Sequence, residues 1–227
     1  MTLEDLQNIP ALPGRFGSAR QLAYIVSNLD DAIAHWKSLG VGPFLITRNV
    51  SPLQNAYYRG EKSCETPLNI GFGYHGNMQI ELIEPLHTTP SIYSEAVERQ
   101  ITGVHHYAVC VEDFPANYFY ALDNGYEAVV DSGVDGLGRM SYVENSDTGI
   151  ILEVIEWNNL TRPYFDAIRS MWEAASATGA DSEFELAALT PKGAIVKGLV
   201  KFLFKKLTGQ VKATRRVIAQ AAELKDS

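Results

Sequence analysis

Two glutamates sit where a charge is costly. Glu81 lies in "MQIELIEP" (78–85) and Glu153 in "GIILEVIE" (149–156), each with aliphatic neighbours on both sides. An unpaired polar group buried in such a run costs roughly 2–7 kcal/mol, and an isolated charge more, so each carboxylate demands a partner. The stretch "GVHHYAVCVEDF" (103–114) adds two adjacent histidines at the mouth of another apolar run. On a strand, neighbours point to opposite faces, so His105 and His106 cannot share one job. Alternation places Gln21, Ala23 and Ile25 on one strand face, Glu81 with Ile83, His106 with Ala108 and Cys110, and Glu153 with Ile155. A divalent cation held by glutamine, glutamate, histidine and glutamate satisfies all four polar groups at once. Oxygen and imidazole ligands suit zinc, nickel, cobalt, iron or manganese, and no thiolate is needed.

The elements that must position these residues repeat. "QLAYIVSNLDDAIAHWKSLG" (21–40) reads as a strand, a cap at Asn28 or Asp30, a helix with Ile33, Trp36 and Leu39 on its apolar side, and a stop at Gly40. "HYAVCVEDFPANYFYALDNG" (106–125) does the same, with Tyr118 and Leu122 on its helix and Gly125 at its end. Each copy closes on one of the glutamate-bearing strands. The first copy is longer, with 60 residues from Gln21 to Glu81 against 47 from His106 to Glu153. The surplus falls in "RNVSPLQNAYYRGEKSCETP" (48–67), whose Pro, Gly and Ser predict a long loop.

The segmentation that follows is an N-terminal arm (1–17), a first module (18–87), a linker helix (88–102), a second module (103–158) and a C-terminal helical extension (159–227). In the linker, "TTPSIYSEAVERQ" (88–100) predicts a capped helix with Pro90 near its first turn. In the extension, a helix begins near Pro163 with Phe165, Ile168, Met171 and Trp172 on one side. A basic amphipathic helix spans 192–207, with Lys197, Lys201 and Lys205 opposite Ile195, Leu199, Phe202, Leu203 and Leu207.

Composition narrows the partners. The chain is 46% hydrophobic and 20% charged, with a net charge of −8. Residues 192–227 carry nine Lys/Arg against two acids, leaving −15 on the remainder. So acidic a body is no nucleic-acid partner. The basic helix is expected to dock on the barrel or on a second subunit; contact with an anionic membrane surface and cover for a lipophilic substrate's entry are the other readings. No apolar run reaches the ~18 residues of a membrane span, and "MTLEDLQNIPALPGRF" is not a signal peptide. Cys64 and Cys110 form no paired motif and read as reduced thiols, so the expected location is the cytoplasm.

The repeated modules, with "QLAYIVSNLDDAIAHW", "MQIELIEP", "GVHHYAVCVEDF" and "GIILEVIE", resemble the vicinal oxygen chelate superfamily over residues 18–157. That superfamily includes glyoxalase I, methylmalonyl-CoA epimerase, extradiol dioxygenases and bleomycin-resistance proteins. The resemblance implies an α+β fold of two paired βαβββ modules, curled into one sheet around a shared site, in a homodimer. It implies that the second histidine of the pair is the metal ligand, hence His106, with His105 facing away. Gln21, Glu81, His106 and Glu153 then hold one divalent ion, a set matching the glyoxalase I pattern; the epimerases favour histidine where Gln21 stands.

The implied reaction is removal of a proton next to a substrate carbonyl, through a metal-stabilised enediolate. Glu153 is the expected base, with Glu81 second. Such chemistry gives an isomerase, an epimerase or a glyoxalase-type lyase. The epimerase pattern supplies a further glutamate in module one, where "LNIGFGYHGN" (68–77) has no acid; Tyr74 and His75 are the candidate stand-ins. The aromatic residues Tyr57, Tyr58, Phe72 and Tyr74 point to a small oxygenated substrate with aromatic or lipophilic character. The alternative is a metal-free protein that sequesters an apolar ligand, as bleomycin-resistance proteins do. An extradiol dioxygenase fits less well, since its two-histidine, one-carboxylate triad is not matched.

Overall fold

The computed structural model describes residues 15–63, 66–101, 103–134 and 138–189. The chain divides into two compact units, Met1–Leu186 and Ala187–Ser227. The predicted basic helix at 192–207 lies outside the described residues, as do Cys64 and most of the N-terminal arm.

Residues 15–186 form one mixed sheet with helices packed on it. In chain order the elements are β1 (Gln21–Ile25), α1 (Leu29–Ser38), β2 (Leu45–Val50), β3 (Gln54–Tyr58), β4 (Glu61–Lys62), β5 (Leu68–His75) and β6 (Met78–Pro85). There follow α2 (Ile92–Glu98), β7 (His106–Val111), α3 (Phe114–Asp123), β8 (Glu127–Val134), β9 (Gly138–Asn145), β10 (Ile150–Glu156), α4 (Thr161–Ser176) and β11 (Ser182–Glu183). The sheet runs β11-β2-β5-β6-β1-β7-β10-β9-β8-β3-β4. Its central eight strands are two βαβββ modules set back to back. No described helix is long and apolar enough to cross a membrane.

The helices form where the sequence places their caps. The Asn28 side chain accepts from the Asp31 amide at 2.9 Å, and Asp113 accepts from Ala116 at 3.0 Å. Each satisfies one amide that the first helical turn leaves unpaired. Helix α1 buries Leu29 and Ile33 against Phe44, Ile80 and Leu82. Leu39, expected on that apolar side, is instead exposed: the helix has ended at Ser38, and Leu39 is the capping residue before Gly40 turns the chain at φ +83°. Helix α3 buries Phe114 and Ala121 against Val109, Val143, Leu152 and Val154. Both helices therefore cover the face opposite to Glu81, His106 and Glu153. Gly73 serves this packing, because a Cβ there would come within 2.7 Å of the Phe44 ring.

The long loop expected at 48–67 is largely sheet. β2 runs on to Val50, and β3 crosses to the far edge of module two, where Tyr57 pairs with Asp131 and Tyr58 with Val130. At the opposite edge β11 pairs with β2, Ser182 against Leu45. Both exposed module edges are thus capped, which removes templates for edge-to-edge association. The β3–β4 turn is pinned by a charge cluster. Arg59 reaches Glu95 at 2.9 Å and Glu144 at 3.2 Å, and Arg99 reaches Glu144 at 2.9 Å.

Strand register shows the duplication directly. Where β1 meets β7, Gln21 lies opposite Ala108 and Ala23 opposite His106. In module one Ala23 is the neighbour of Glu81, and in module two Ala108 is the neighbour of Glu153. A local twofold therefore exchanges Gln21 with His106 and Glu81 with Glu153.

Candidate functional site

Two transverse rows of the sheet carry the polar residues. One row runs Phe72–Glu81–Ala23–His106 across β5, β6, β1 and β7. The next runs Tyr74–Gln79–Gln21–Ala108–Glu153–Tyr142 from β5 to β9. Ala23 and Ala108 are the small residues that let the side chains on either side lean together. The Nε2 atom of His106 lies 3.6 Å from Glu81 Oε2 and 3.5 Å from Glu153 Oε2. His106 is fully buried, and Glu81 and Glu153 are nearly so. His106 Nε2 has no hydrogen-bond partner.

Gln21 is in the same polar face, but its amide nitrogen donates to Gln79 Oε1 at 2.9 Å, and Gln79 donates in turn to the Tyr74 hydroxyl at 2.7 Å. Its carbonyl oxygen is the only atom of that amide left for a cation. Glu153 accepts from the Tyr142 hydroxyl through Oε1 at 2.9 Å, which leaves Oε2 turned to His106. Burial, and then the Glu153 charge, push the Glu81 carboxyl well above its ordinary range. Burial likewise raises the hydroxyls of Tyr93 and Tyr142, and pushes Tyr74 to about 12.

His105 is a packed, hydrogen-bonded neighbour of His106. It is buried beside its neighbour, with Nδ1 at 2.9 Å from His106 Nδ1 and Nε2 at 3.3 Å from the Ile92 carbonyl oxygen. Burial, then the neighbouring His106, lower it to about 3, so the ring is neutral. Cys110, two residues beyond Ala108, is held at about 12 by burial and offers no thiolate.

The four aromatic residues expected to bind substrate separate into two groups. Phe72 and Tyr74 lie buried in the rows with Glu81 and Gln79. Tyr57 is 52% exposed on the edge strand β3, and the Tyr58 hydroxyl is bonded to Glu95 in the charge cluster. His75 is exposed at the end of β5. Aromatic groups that the sequence pattern did not single out stand near the carboxylates instead. Tyr93 and Tyr142 are two; Tyr164 of α4 is a third, its hydroxyl raised by burial and by the charges of Glu81 and Glu153. Helix α4 is seated through Trp172, whose indole donates to the Pro43 carbonyl at 2.8 Å and whose ring lies 5.0 Å from Tyr74.

Whether a divalent ion suits these residues can be tested on the donors. Among the described residues no three His, Cys, Asp or Glu side chains make a ready-formed metal cage. The two separations at His106 match those of a bound ion: ligands at about 2.1 Å around a tetrahedral ion stand about 3.4 Å apart, close to the 3.5 and 3.6 Å found there. The donor types, one imidazole and two carboxylates with an amide oxygen nearby, are those of a divalent ion.

The model of the glyoxalase/bleomycin resistance protein/dioxygenase superfamily matches residues 20–142. The chain belongs to that superfamily. The matched span includes Gln21, Glu81, His106 and Tyr142 and stops short of Glu153. No curated protein matches the chain. Among solved structures, a hypothetical protein from Bacillus halodurans is similar at 20% identity and a TM-score of 0.47, covering 62% of this chain and 94% of the other. Methylmalonyl-CoA epimerase from Mycobacterium tuberculosis is similar at 18% identity and a TM-score of 0.45, covering 69% and 96%. A Streptomyces coelicolor methylmalonyl-CoA epimerase variant in complex with 2-nitronate-propionyl-CoA is similar at 16% identity and a TM-score of 0.42, covering 62% and 94%.

Proposed function

We propose that this chain is a divalent-metal-dependent enzyme that moves a proton next to a carbonyl group, as an isomerase, epimerase or lyase. One observation carries the reading: His106 Nε2, fully buried and without a hydrogen bond, faces one oxygen of each of two buried carboxylates. Two buried carboxylate oxygens converging on one imidazole nitrogen call for a cation or a proton between them.

His106, Glu81, Glu153 and the Gln21 carbonyl oxygen are the groups that would hold the ion. Once bound, it would supply positive charge to polarise a substrate carbonyl and to steady the negative charge left when the neighbouring proton departs. The chain's own residues do the rest. Glu81, whose Oε2 stands 3.6 Å from His106 Nε2, is the carboxylate placed to take the proton from carbon. Glu153, fixed at Oε1 by Tyr142, is the better anchored of the pair. Glu81 is therefore the proposed base and Glu153 the second candidate, since Tyr142 holds Glu153 through Oε1. Phe72, Tyr74 and Tyr164 supply aromatic walls for a small oxygenated substrate with an apolar part. Two copies of the chain are the expected assembly.

The test is metal content by mass spectrometry on the untagged protein, beside His106→Ala and Glu153→Gln, followed by deuterium uptake from heavy water into candidate carbonyl compounds. About one ion per chain, lost in the variants, with exchange at the carbon next to the carbonyl, supports the enzyme. The missing ready-formed cage and the Gln21–Gln79 bond favour the second reading, a metal-free cleft that sequesters an apolar ligand. A chain that stays metal-free after soaking in zinc, nickel and manganese sinks the first reading, and a bound apolar ligand then tests the second.

A further inference from the structure

We propose that helix α2, which joins the two modules, sets the protonation geometry of the site through a circuit of four buried rings, with His105, Tyr142 and Tyr93 as positioning residues. The inference rests on the reading of His106 and Glu153 as ion-holding groups, and it assigns work to residues that this reading leaves unused.

The circuit closes on itself. Ring centroids lie 6.1 Å apart for Tyr93–His105, 5.1 Å for His105–His106, 5.0 Å for His106–Tyr142 and 6.4 Å for Tyr142–Tyr93. All four residues are buried. Two hydrogen-bond chains leave the start of α2 and travel through it. In the first, the Ile92 carbonyl can only accept, so His105 Nε2 carries a proton toward it. A second proton on the same ring would bury a cation with only a carbonyl and another imidazole for company. His105 Nδ1 is therefore bare and accepts from His106 Nδ1–H. His106 Nε2 is in turn left bare, with its lone pair aimed at the carboxylates.

In the second chain, the single Tyr142 proton goes to Glu153 Oε1, so Tyr93 must donate to the Tyr142 oxygen. That holds Oε2 toward the same point as His106 Nε2. The origin of both chains is rigid, because Ser91 and Ser94 cap the helix reciprocally, side chain to backbone in both directions. The consequence is chemical. With a proton on Nε2, His106 would hydrogen-bond to Glu81 or Glu153 and close the space to a cation. The circuit forbids that tautomer and keeps three acceptor atoms open.

The experiment reads the full chain in two ways. Long-range nitrogen–proton NMR on the metal-free protein reports the His106 tautomer, and zinc titration reports affinity. In the wild type His106 carries its proton on Nδ1. His105→Phe moves it to Nε2 and weakens zinc about 10–100-fold, a usual loss when a ligand's outer partner is removed. His105→Asn keeps an acceptor where Nδ1 stood and restores the Nδ1–H tautomer. Tyr142→Phe weakens zinc about tenfold without moving the His106 proton, because it acts through Glu153. An Nε2–H tautomer in the wild type, or unchanged tautomer and affinity in His105→Phe, overturns the proposal. If His105→Phe does not fold, His105→Asn and Tyr142→Phe decide it: loss of the Nδ1–H tautomer in the first or unaltered zinc affinity in the second overturns it. A wild type that binds no zinc overturns the enzyme reading, while the tautomer still decides whether the circuit works as described.

Discussion

Two pairs of glutamates, each with a tyrosine donor, meet opposite fates in this fold. Glu95 and Glu144 meet Arg59 and Arg99, with the Tyr58 hydroxyl donating to Glu95. Burial pushes Glu95 up, yet the hydrogen bonds from Tyr58 and Arg59 and the two guanidinium charges outweigh it and leave it below the usual carboxylate range. Glu81 and Glu153 also have a tyrosine donor, Tyr142, but their third partner is an imidazole with a bare nitrogen, and Glu81 is pushed upward. A carboxylate pair given two permanent cations is finished, and can only hold structure. A pair given an acceptor instead is incomplete, and its completion is available to a ligand. Helix α2 serves both, offering Glu95 to one cluster and Tyr93 to the other.

The sharpest way to break the comparison is to remove one central partner from each. His106→Ala is expected to lose zinc by about 100-fold or more, whereas Arg59→Ala binds as the parent does; equal metal content in the two after dialysis would mean the site does not depend on His106. Next comes stability. Without metal, Glu81→Gln removes buried like-charge repulsion and is expected to stabilise by about 1–2 kcal/mol at mildly alkaline pH. Glu95→Gln, partly exposed, is expected to cost about 1 kcal/mol. Urea denaturation gives both signs, and a shared sign would erase the distinction.

The pH limbs follow from linkage. Glu81 is raised on folding, so its contribution is intact below the ordinary carboxylic value and lost as pH rises through its folded value. Glu95 is lowered, so its contribution is intact above the ordinary value and lost as pH falls through its folded value. Glu81→Gln, or zinc loading, should flatten the alkaline limb of the metal-free stability curve, and Glu95→Gln the acid limb. Smallest is Ser91→Ala, expected to cost about 1 kcal/mol by uncapping α2; its melting temperature should fall by more than that of Ser38→Ala, an exposed hydroxyl bonded only to its own helix.

Strand alternation and helix caps made the two modules legible, because both depend on neighbours in the chain. Alternation around Ala23 and Ala108 likewise put Gln21, Glu81, His106 and Glu153 on faces that the register brings together. The β3–β4 hairpin was not legible: a stretch rich in Pro, Gly and Ser reads as loop, and only the vacant edge of β8, about 70 residues away, makes it a strand. The second layer was hidden for the same reason. Nothing near Tyr93, Tyr142 or Tyr164 in sequence announces Glu81 or Glu153, and the partner of His105 is a carbonyl one helix earlier. Leu39 failed differently, through a helix that ended one residue sooner than its apolar pattern.

The capped edges also govern the order in which the molecule can be completed. β2 has its outer neighbour only when Ser182 and Glu183 arrive, and β3 has a place to dock only once β8 has formed. During synthesis module one therefore waits with an unsealed strand on one flank and an unplaced hairpin on the other. Pairings this distant in sequence are slow to close. The nascent first half is the span most exposed to misassociation, and the last described strand seals the edge of the first module.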